Sequence, residues 1–176
     1  MFQSLYHVFR VKNHKTIKDR IFNHINSRQK TPTNEGFFIS NTDWIQGTYV
    51  PLGDYHYIDF LLKDNYKNLD NFYKRKFLKD KQYQITNAWF NQYDASSGSE
   101  HIVHNHPRND ITNIYYMELE SKDLVTRIIH PKTKKVIIPR VREGDILSFR
   151  GDLNHFSPKN FTKTRKTIVA FNIDIV

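Results

Sequence analysis

The sequence predicts a mainly β fold with helices packed on it. After residue 81, short apolar runs with period-two alternation recur between turn residues, at roughly the 8–12-residue spacing that is typical of an antiparallel sandwich or barrel. Before residue 81, two segments have apolar residues at spacings of three and four, which indicates amphipathic helices. A chain of 176 residues with 13 Phe and 10 Tyr can bury a substantial core.

We expect one domain, residues 1–176, in which the two halves have different roles. Residues 1–80 are predicted to form a helical and irregular support, and residues 81–176 to form the β-rich core. The apolar spacing predicts a first helix over 14–29 and a second helix over 57–77.

The remaining elements follow from turn residues and alternation. A short strand is predicted over 36–40, followed by a turn over 41–43. The strands expected in the second half are Gln84–Tyr93, Glu100–Asn105, Thr112–Glu120, Leu124–Ile129, Lys135–Pro139, Asp145–Arg150 and Lys166–Ile175.

Composition limits the classes of function. There is no Cys, so disulfides, thiolate nucleophiles and Cys-based zinc sites are excluded. The 27 basic and 18 acidic residues give a net charge of +9, which favours anionic partners, nucleic acid among them, or serves solubility. The first residues lack a signal-peptide pattern, and no apolar run is long enough to cross a membrane. We therefore expect a soluble, cytoplasmic protein without membrane contact.

Three of the nine histidines have a spacing suited to one metal ion. His104 and His106 are two apart, so on a strand they point to the same face. His155, on a distant strand, can complete the set, since neutral imidazoles are common metal ligands. Such a set, with open positions opposite, occurs in iron oxygenases and also in zinc hydrases and hydrolases. Both metals stay open on spacing alone.

A cation follows the third histidine. Arg165 lies ten residues after His155, and a guanidinium can hold a small acid beside the metal through a two-pronged pair. Asp152 and Asn154 flank His155 and can orient a ligand or shape a turn.

The C-terminal half, roughly residues 84–174, resembles the 2-oxoglutarate/Fe(II)-dependent oxygenases, specifically small oxygenases of bacteria and phages. The segments that carry the resemblance are Trp89-Phe90-Asn91-Gln92-Tyr93, His104-Asn105-His106-Pro107, Ile114-Tyr115-Tyr116, Glu143-Gly144-Asp145-Ile146-Leu147-Ser148-Phe149, His155 and Arg165-Lys166-Thr167-Ile168-Val169-Ala170-Phe171-Asn172.

The resemblance implies a double-stranded β-helix, a cupin-like jelly roll, and an enzyme that uses Fe(II), 2-oxoglutarate and O2. It implies that His104 and His155 bind iron and that Arg165 binds the far carboxylate of 2-oxoglutarate. The further residues expected to contact this cosubstrate are Thr167, Asn91, Tyr93, Tyr115 and Tyr116.

The second ligand departs from the family pattern. The superfamily has a carboxylate two residues after the first histidine, and this chain has His106 there. Either the site is a three-histidine variant or a nearby carboxylate substitutes, for which Asp110 is the candidate. We favour His106.

The substrate is expected to be a protein or peptide side chain, or a small molecule, which the enzyme hydroxylates while 2-oxoglutarate becomes succinate. The net charge leaves nucleic acid as a further substrate class. Two other readings stay open, a three-histidine zinc enzyme and a jelly-roll binding module without catalysis.

Overall fold

Two antiparallel β-sheets face each other across an apolar layer in the computed structural model, which describes residues 4–26, 38–44, 56–78 and 81–176. The strands of this part of the chain are β1 (Tyr6–Arg10), β2 (Asn41–Thr42), β3 (Tyr83–Tyr93), β4 (His101–His104), β5 (Ile111–Glu118), β6 (Arg127–Ile129), β7 (Val136–Ile137), β8 (Asp145–Arg150), β9 (His155–Ser157) and β10 (Lys166–Ile175). The larger sheet has the order β1-β8-β5-β10-β3-β2, and the smaller has the order β4-β9-β6-β7. The predicted mainly β, jelly-roll architecture is confirmed.

Two helices cover the outer face of the larger sheet. Helix α1 (His14–Asn26) and helix α2 (His56–Tyr73) bury Ile17, Ile21 and Leu61 in a core that also contains Val169 and Phe171 of β10. A π-helical turn (Lys74–Leu78) extends α2. In the part of the chain that the structure describes, neither helix is both long enough and apolar enough to cross a membrane.

The alternation of side chains along β10 separates the two cores. Val169 and Phe171 face the helices, whereas Ile168 belongs to the apolar layer between the sheets. Successive strand residues point to opposite faces, so β10 contributes to both layers at once. It pairs with β5 on one side and β3 on the other, and this central position fixes which residues reach the space between the sheets.

Several element boundaries differ from the prediction. The first helix ends at Asn26 and the residues beyond it up to 29 lie outside the described part. The predicted strand over 36–40 is wrong for its described residues 38–40, and the predicted turn over 41–43 instead contains β2, which pairs with β3. A two-residue strand is too short to carry a periodic signal.

Strand β1 was not predicted. Tyr6–Arg10 forms the edge of the larger sheet and pairs with β8. The N-terminal half is therefore not only a helical support, because it contributes both edge strands of the larger sheet. In the second half, the strands over 145–150 and 166–175 occur at the predicted bounds.

Gly151 joins the loop after β4 to the turn after β8. Its N–H donates to the Asp110 carbonyl (2.9 Å), and its carbonyl accepts from the His106 N–H (2.7 Å). A Cβ at this position would lie 2.1 Å from the Asn109 carbonyl oxygen and 2.7 Å from that of His106. Only glycine allows this approach of two backbones.

We expect Gly151→Ala to lower the free energy of unfolding by about 2 kcal/mol, because the added methyl group must push two backbone segments apart. Urea unfolding measures the change. Asp152→Ala, at the exposed neighbouring position, serves as the control and should stay within about 0.5 kcal/mol of the unchanged protein. Equal stability of the two variants would contradict the close approach.

Candidate active site

Three imidazoles meet at one end of the space between the sheets. His104, His106 and His155 each offer a ring nitrogen, and these nitrogens all lie within 4.8 Å of one another. The ring centroids are 4.2 Å apart for His104 and His155, and 5.2 and 5.3 Å apart for His106 and these two rings. The structure thus brings together the three histidines singled out in the sequence. Their binding of a metal stays a prediction.

Strand pairing and one backbone contact produce this arrangement. His104 lies opposite His155 in the β4–β9 ladder, and His106 is held by its N–H bond to Gly151. The Nδ1 atom of His104 faces the Ile102 carbonyl (2.7 Å), and the Nδ1 atom of His155 faces the Leu153 carbonyl (3.0 Å). A carbonyl only accepts, so both Nδ1 atoms carry the proton and both Nε2 atoms keep a lone pair for a metal.

Burial keeps these imidazoles neutral. It lowers the pKa of His106 to about 4, with a smaller contribution from the neighbouring His104. Burial likewise lowers the pKa of His104 and, more strongly, that of His155. At neutral pH all three rings therefore have the unprotonated nitrogen that metal binding requires.

A fourth histidine joins the cluster, and the sequence analysis missed it. The His101 ring stacks on the His104 ring at 3.8 Å with 17° between their planes. Residues three apart on a regular strand point to opposite faces, but the β4–β9 register shifts between His101 and His104, as at a β-bulge. Both rings consequently face the same cavity.

The cavity continues from the imidazoles between the sheets. Its enclosed part measures about 20 Å³ and the remainder opens at the mouth. Its walls come from β3, β5, β9 and β10 together with the histidine cluster. The lining residues are Trp89, Asn91, Tyr93, His101, His104, His106, Thr112, Ile114, Thr126, His155, Ser157, Ile168 and Ala170.

A buried ammonium lies behind this lining. Lys166 is fully buried, and its Nζ donates to the Ser157 hydroxyl (2.7 Å) and the Thr126 hydroxyl (3.4 Å). It also lies 4.7 Å from the centre of the Tyr93 ring. Burial alone lowers its pKa to about 7, and no carboxylate of the described residues pairs with it. An ammonium that is buried without a counter-ion is costly, and this cost is the reason for its lowered pKa.

Arg165, the predicted cation, lies on the opposite face of β10. Its guanidinium pairs with Glu118 (2.9 and 3.1 Å) and lies over the Phe22 ring of α1. Thr167 points the same way, and its hydroxyl donates to Glu118. Both side chains therefore point toward the side of the sheet that the helices cover. The cavity-facing cation of this strand is Lys166.

The other predicted residues divide between the two faces. Asn91 and Tyr93 line the cavity, and Tyr116 is close to it, since the Lys166 ammonium lies 5.9 Å from its ring centre. Tyr115 points away from the cavity, and its hydroxyl meets His14 of α1 (2.7 Å). Alternation on β5 makes this division between neighbours unavoidable.

Asp110 does not reach the cluster. It is exposed, and its carboxylate accepts the N–H of Ile175 (2.8 Å) at the far end of β10. The flanking residues Asp152 and Asn154 are exposed as well, and they bond to Arg150 and Asn105. A backbone carbonyl, that of Leu153, orients His155 in their place.

Signals for the two missed residues exist in the sequence. Lys166 is a charged residue at the start of an otherwise apolar run, and its parity with Ile168 and Ala170 places it on the inner face. His101 shares a strand with His104, but its orientation depends on an irregularity that periodicity does not reveal. The assembled site has three neutral imidazoles that line one cavity and a buried lysine behind its wall.

The sequence matches no protein-family model and no curated protein. Solved structures do match. One is an oxidoreductase of the 2OG-Fe(II) oxygenase family from Burkholderia pseudomallei, with a TM-score of 0.73, 10% identity, and coverage of 97% of this chain and 84% of that one.

Two further similar structures contain ligands. HygX from Streptomyces hygroscopicus, with nickel and 2-oxoglutarate bound, has a TM-score of 0.70 at 12% identity and covers 98% of this chain and 83% of its own. A prolyl hydroxylase from Trichoplax adhaerens, in complex with a hypoxia inducible factor peptide fragment, has a TM-score of 0.65 at 16% identity and covers 97% and 84%. This chain therefore has the jelly-roll fold of the 2OG-Fe(II) oxygenases.

Proposed function

We propose that this protein is a non-haem Fe(II)- and 2-oxoglutarate-dependent oxygenase. The observation that carries the proposal is that three neutral imidazoles line a cavity and that one buried lysine, without a carboxylate partner among the described residues, lies directly behind its wall. A metal accounts for the imidazoles, and an anionic ligand would supply the counter-ion that the lysine lacks. The fold and the ligands of the similar structures agree with this choice.

The residues present suit iron. His104, His106 and His155 would hold the ion, since their nitrogens are near enough to bind one metal and leave its remaining positions open. Their neutrality leaves the full positive charge of the ion for exogenous anions. With the cosubstrate and O2, the metal would supply hydroxylation of a substrate C–H bond, with one oxygen atom going to the substrate and the other to succinate, while 2-oxoglutarate loses CO2.

The residues present also suit a dicarboxylic acid. Lys166 would hold the carboxylate far from the metal, and the Ser157 and Thr126 hydroxyls that bond to it can donate to the same oxygens. The enclosed volume of about 20 Å³ requires lining side chains to turn aside as the acid enters. His101 lies on this wall, where burial lowers its pKa well below the ordinary value, with smaller contributions from the neighbouring histidines and from Lys166.

The substrate is proposed to be a peptide side chain or a small molecule, hydroxylated at the mouth of the cavity. The Trichoplax structure contains a peptide, which favours the first of these. The half-buried His104 and His106 rings and the indole of Trp89, 5.6 Å from His106, border the metal positions that face the mouth. A cytoplasmic location belongs to the same proposal.

Removal of a predicted ligand should abolish metal binding. We expect His104→Ala and His155→Ala to lose Fe(II) binding in anaerobic calorimetric titration, because two imidazoles do not complete a facial set. Asp110→Asn is the control and should bind as the unchanged protein does, since its carboxylate is engaged by Ile175. Loss of binding in Asp110→Asn would restore that residue as the ligand. Turnover with zinc but not with iron and 2-oxoglutarate would identify a zinc enzyme.

The two neighbouring cations of β10 should differ sharply in their effect on the cosubstrate. Lys166→Met removes a buried charge that would pair with a carboxylate, a loss of about 2–5 kcal/mol. The dissociation constant of 2-oxoglutarate should rise by more than tenfold, with Fe(II) binding retained. Arg165→Gln should leave that constant unchanged, since its guanidinium faces α1. Binding of 2-oxoglutarate is measured through the charge-transfer absorption of the anaerobic iron complex. A larger loss of affinity in Arg165→Gln than in Lys166→Met would contradict the assignment of Lys166 to the cosubstrate.

Affinity for 2-oxoglutarate should fall as the pH rises. Burial lowers the pKa of Lys166 to about 7, so the free protein carries the ammonium below that pH and loses it above. The carboxylates of the ligand stay ionised throughout, so the dissociation constant should rise by about tenfold per pH unit above pH 7. Titration from mildly acidic to mildly alkaline pH measures this slope. Lys166→Met should lack it, and an equal slope in that variant would assign the titration to another group.

A further inference from the structure

Within the described residues no strand pairs with the outer edge of β1, which lies beside a groove that the candidate active site does not use. β1 is the outermost strand of the larger sheet, and within the described residues its ladder partner is β8 alone. Its central residue, Val8, is 36% exposed. An edge strand presents unpaired N–H and C=O groups to which another chain can add.

Positively charged residues surround the first part of this groove. It has a volume of about 500 Å³ between the end of β1 and the last turns of α2. Its lining contains four cations and no carboxylate, and the full set is Phe9, Arg10, Lys12, Asn68, Asn71, Lys74 and Arg75. Arg10 is paired with Asp145 and Lys74 with Asp70. Lys12 and Arg75 form no ion pair with a described residue, and both are exposed.

A second groove is lined by other residues of the same strand and of the π-helical turn. It has a volume of about 260 Å³ and lies between the start of β1 and the π-helical turn, with lining residues Ser4, Leu5, His7, Lys76, Phe77, Pro131, Arg150, Asp152 and Leu153. Lys74 and Arg75 border the first groove and Lys76 borders the second, so the π-helical turn flanks both. The second groove ends at Leu153, whose carbonyl orients His155.

We propose that the two grooves form one docking track for an extended acidic peptide, which adds to β1 as a further strand. Lys12, Arg75 and Lys76 would receive its acidic side chains, while the backbone of β1 supplies the ladder. The track leads from the far end of β1 toward the turn that carries His155. That the peptide is the substrate rests on the proposed function, whereas its binding does not.

A peptide suits this track better than a nucleic acid. Single-stranded nucleic acids bind to exposed aromatic faces on which bases stack. The rings along the track are already engaged with one another, since His7 lies 5.1 Å from Phe77 and Phe9 lies 5.4 Å from Phe72. An open strand edge, in contrast, is a binding element that only another polypeptide backbone can use.

The test measures binding of a fluorescein-labelled peptide of alternating Glu and Thr by anisotropy. A length of about 12 residues spans β1 and both grooves at roughly 3.3 Å per residue. We expect the peptide to bind at about 0.05 M salt and to lose binding near 0.5 M salt. The electrostatic screening length is about threefold shorter at the higher concentration, so the attraction between the charges is largely screened. The triple variant K12Q/R75Q/K76Q should bind about tenfold more weakly.

A matched control has the same loss of charge elsewhere. K132Q/K135Q/K163Q removes three exposed lysines that line neither groove, and it should bind the peptide as the unchanged protein does. Equal weakening of both variants would show attraction by net charge alone and would overturn the track.

Two competitor ligands test the kind of partner. The same peptide with alternate backbone nitrogens methylated cannot form the ladder and should bind at least tenfold more weakly. An oligothymidylate with the same number of negative charges should also bind more weakly than the unmodified peptide. Equal binding of the methylated peptide would exclude strand addition, and tighter binding of the oligothymidylate would make the track a nucleic-acid surface. Neither result depends on iron or 2-oxoglutarate, so failure here leaves the oxygenase proposal standing.

Discussion

The alternation of side chains along β10 is the constraint on which the rest of the structure depends. This strand lies between β3 and β5 in the middle of the larger sheet, so each of its residues must face either the helices or the cavity. Val169 and Phe171 join the core under α1 and α2, while Ile168 and Ala170 line the cavity. Lys166 shares the parity of the second pair and is carried inward with it. A shift of one residue in the register of β10 would exchange these faces, so that Arg165 would be buried and the residues under the helices would be exposed. The packing of the helices therefore also determines which cation of β10 points toward the cavity.

The sequence was sufficient to predict strands with a strong alternation of apolar residues and a site whose residue types suit a metal ion. The strands over 145–150 and 166–175 have strong alternation and occur as predicted, and the spacing of His104, His106 and His155 anticipated their meeting. It was insufficient where orientation depends on tertiary pairing. To choose between Arg165 and Lys166, one must know which face of β10 the helices cover. The sequence does not give this information, because both faces of the strand are apolar enough to be buried. His101 turns inward through a register shift in the β4–β9 ladder, and Asp110 is turned outward by its bond to Ile175.

The electrostatics of the cavity are unusual for a protein interior because a buried lysine lies behind its wall while its lining contains no carboxylate. The three imidazoles are neutral and offer no negative charge to a metal, and the Lys166 ammonium has only hydroxyls and aromatic rings around it. A carboxylate at position 106 would offset part of the charge of the metal, and a carboxylate beside Lys166 would offset the ammonium. Neither is present among the described residues, which supports the proposal that the ligand is an external dianion. Burial lowers the pKa of Lys166 to about 7, because a charged ammonium is costly in a protein interior.

The lack of negative charge in the cavity would couple the binding of the two ligands of the proposed enzyme, the metal and the dicarboxylic acid. A dicarboxylic acid that reaches from the metal to Lys166 compensates both positive centres at once, so the metal increases the affinity for the acid. Because such a coupling is reciprocal, the acid must increase the affinity for the metal by the same factor. A site with three neutral ligands therefore retains its metal less firmly alone than with the acid bound. In the proposed enzyme, His106 in the place of a carboxylate would weaken metal binding by the protein alone. Metal retention would then depend more strongly on the cosubstrate than in a site that carries its own negative charge.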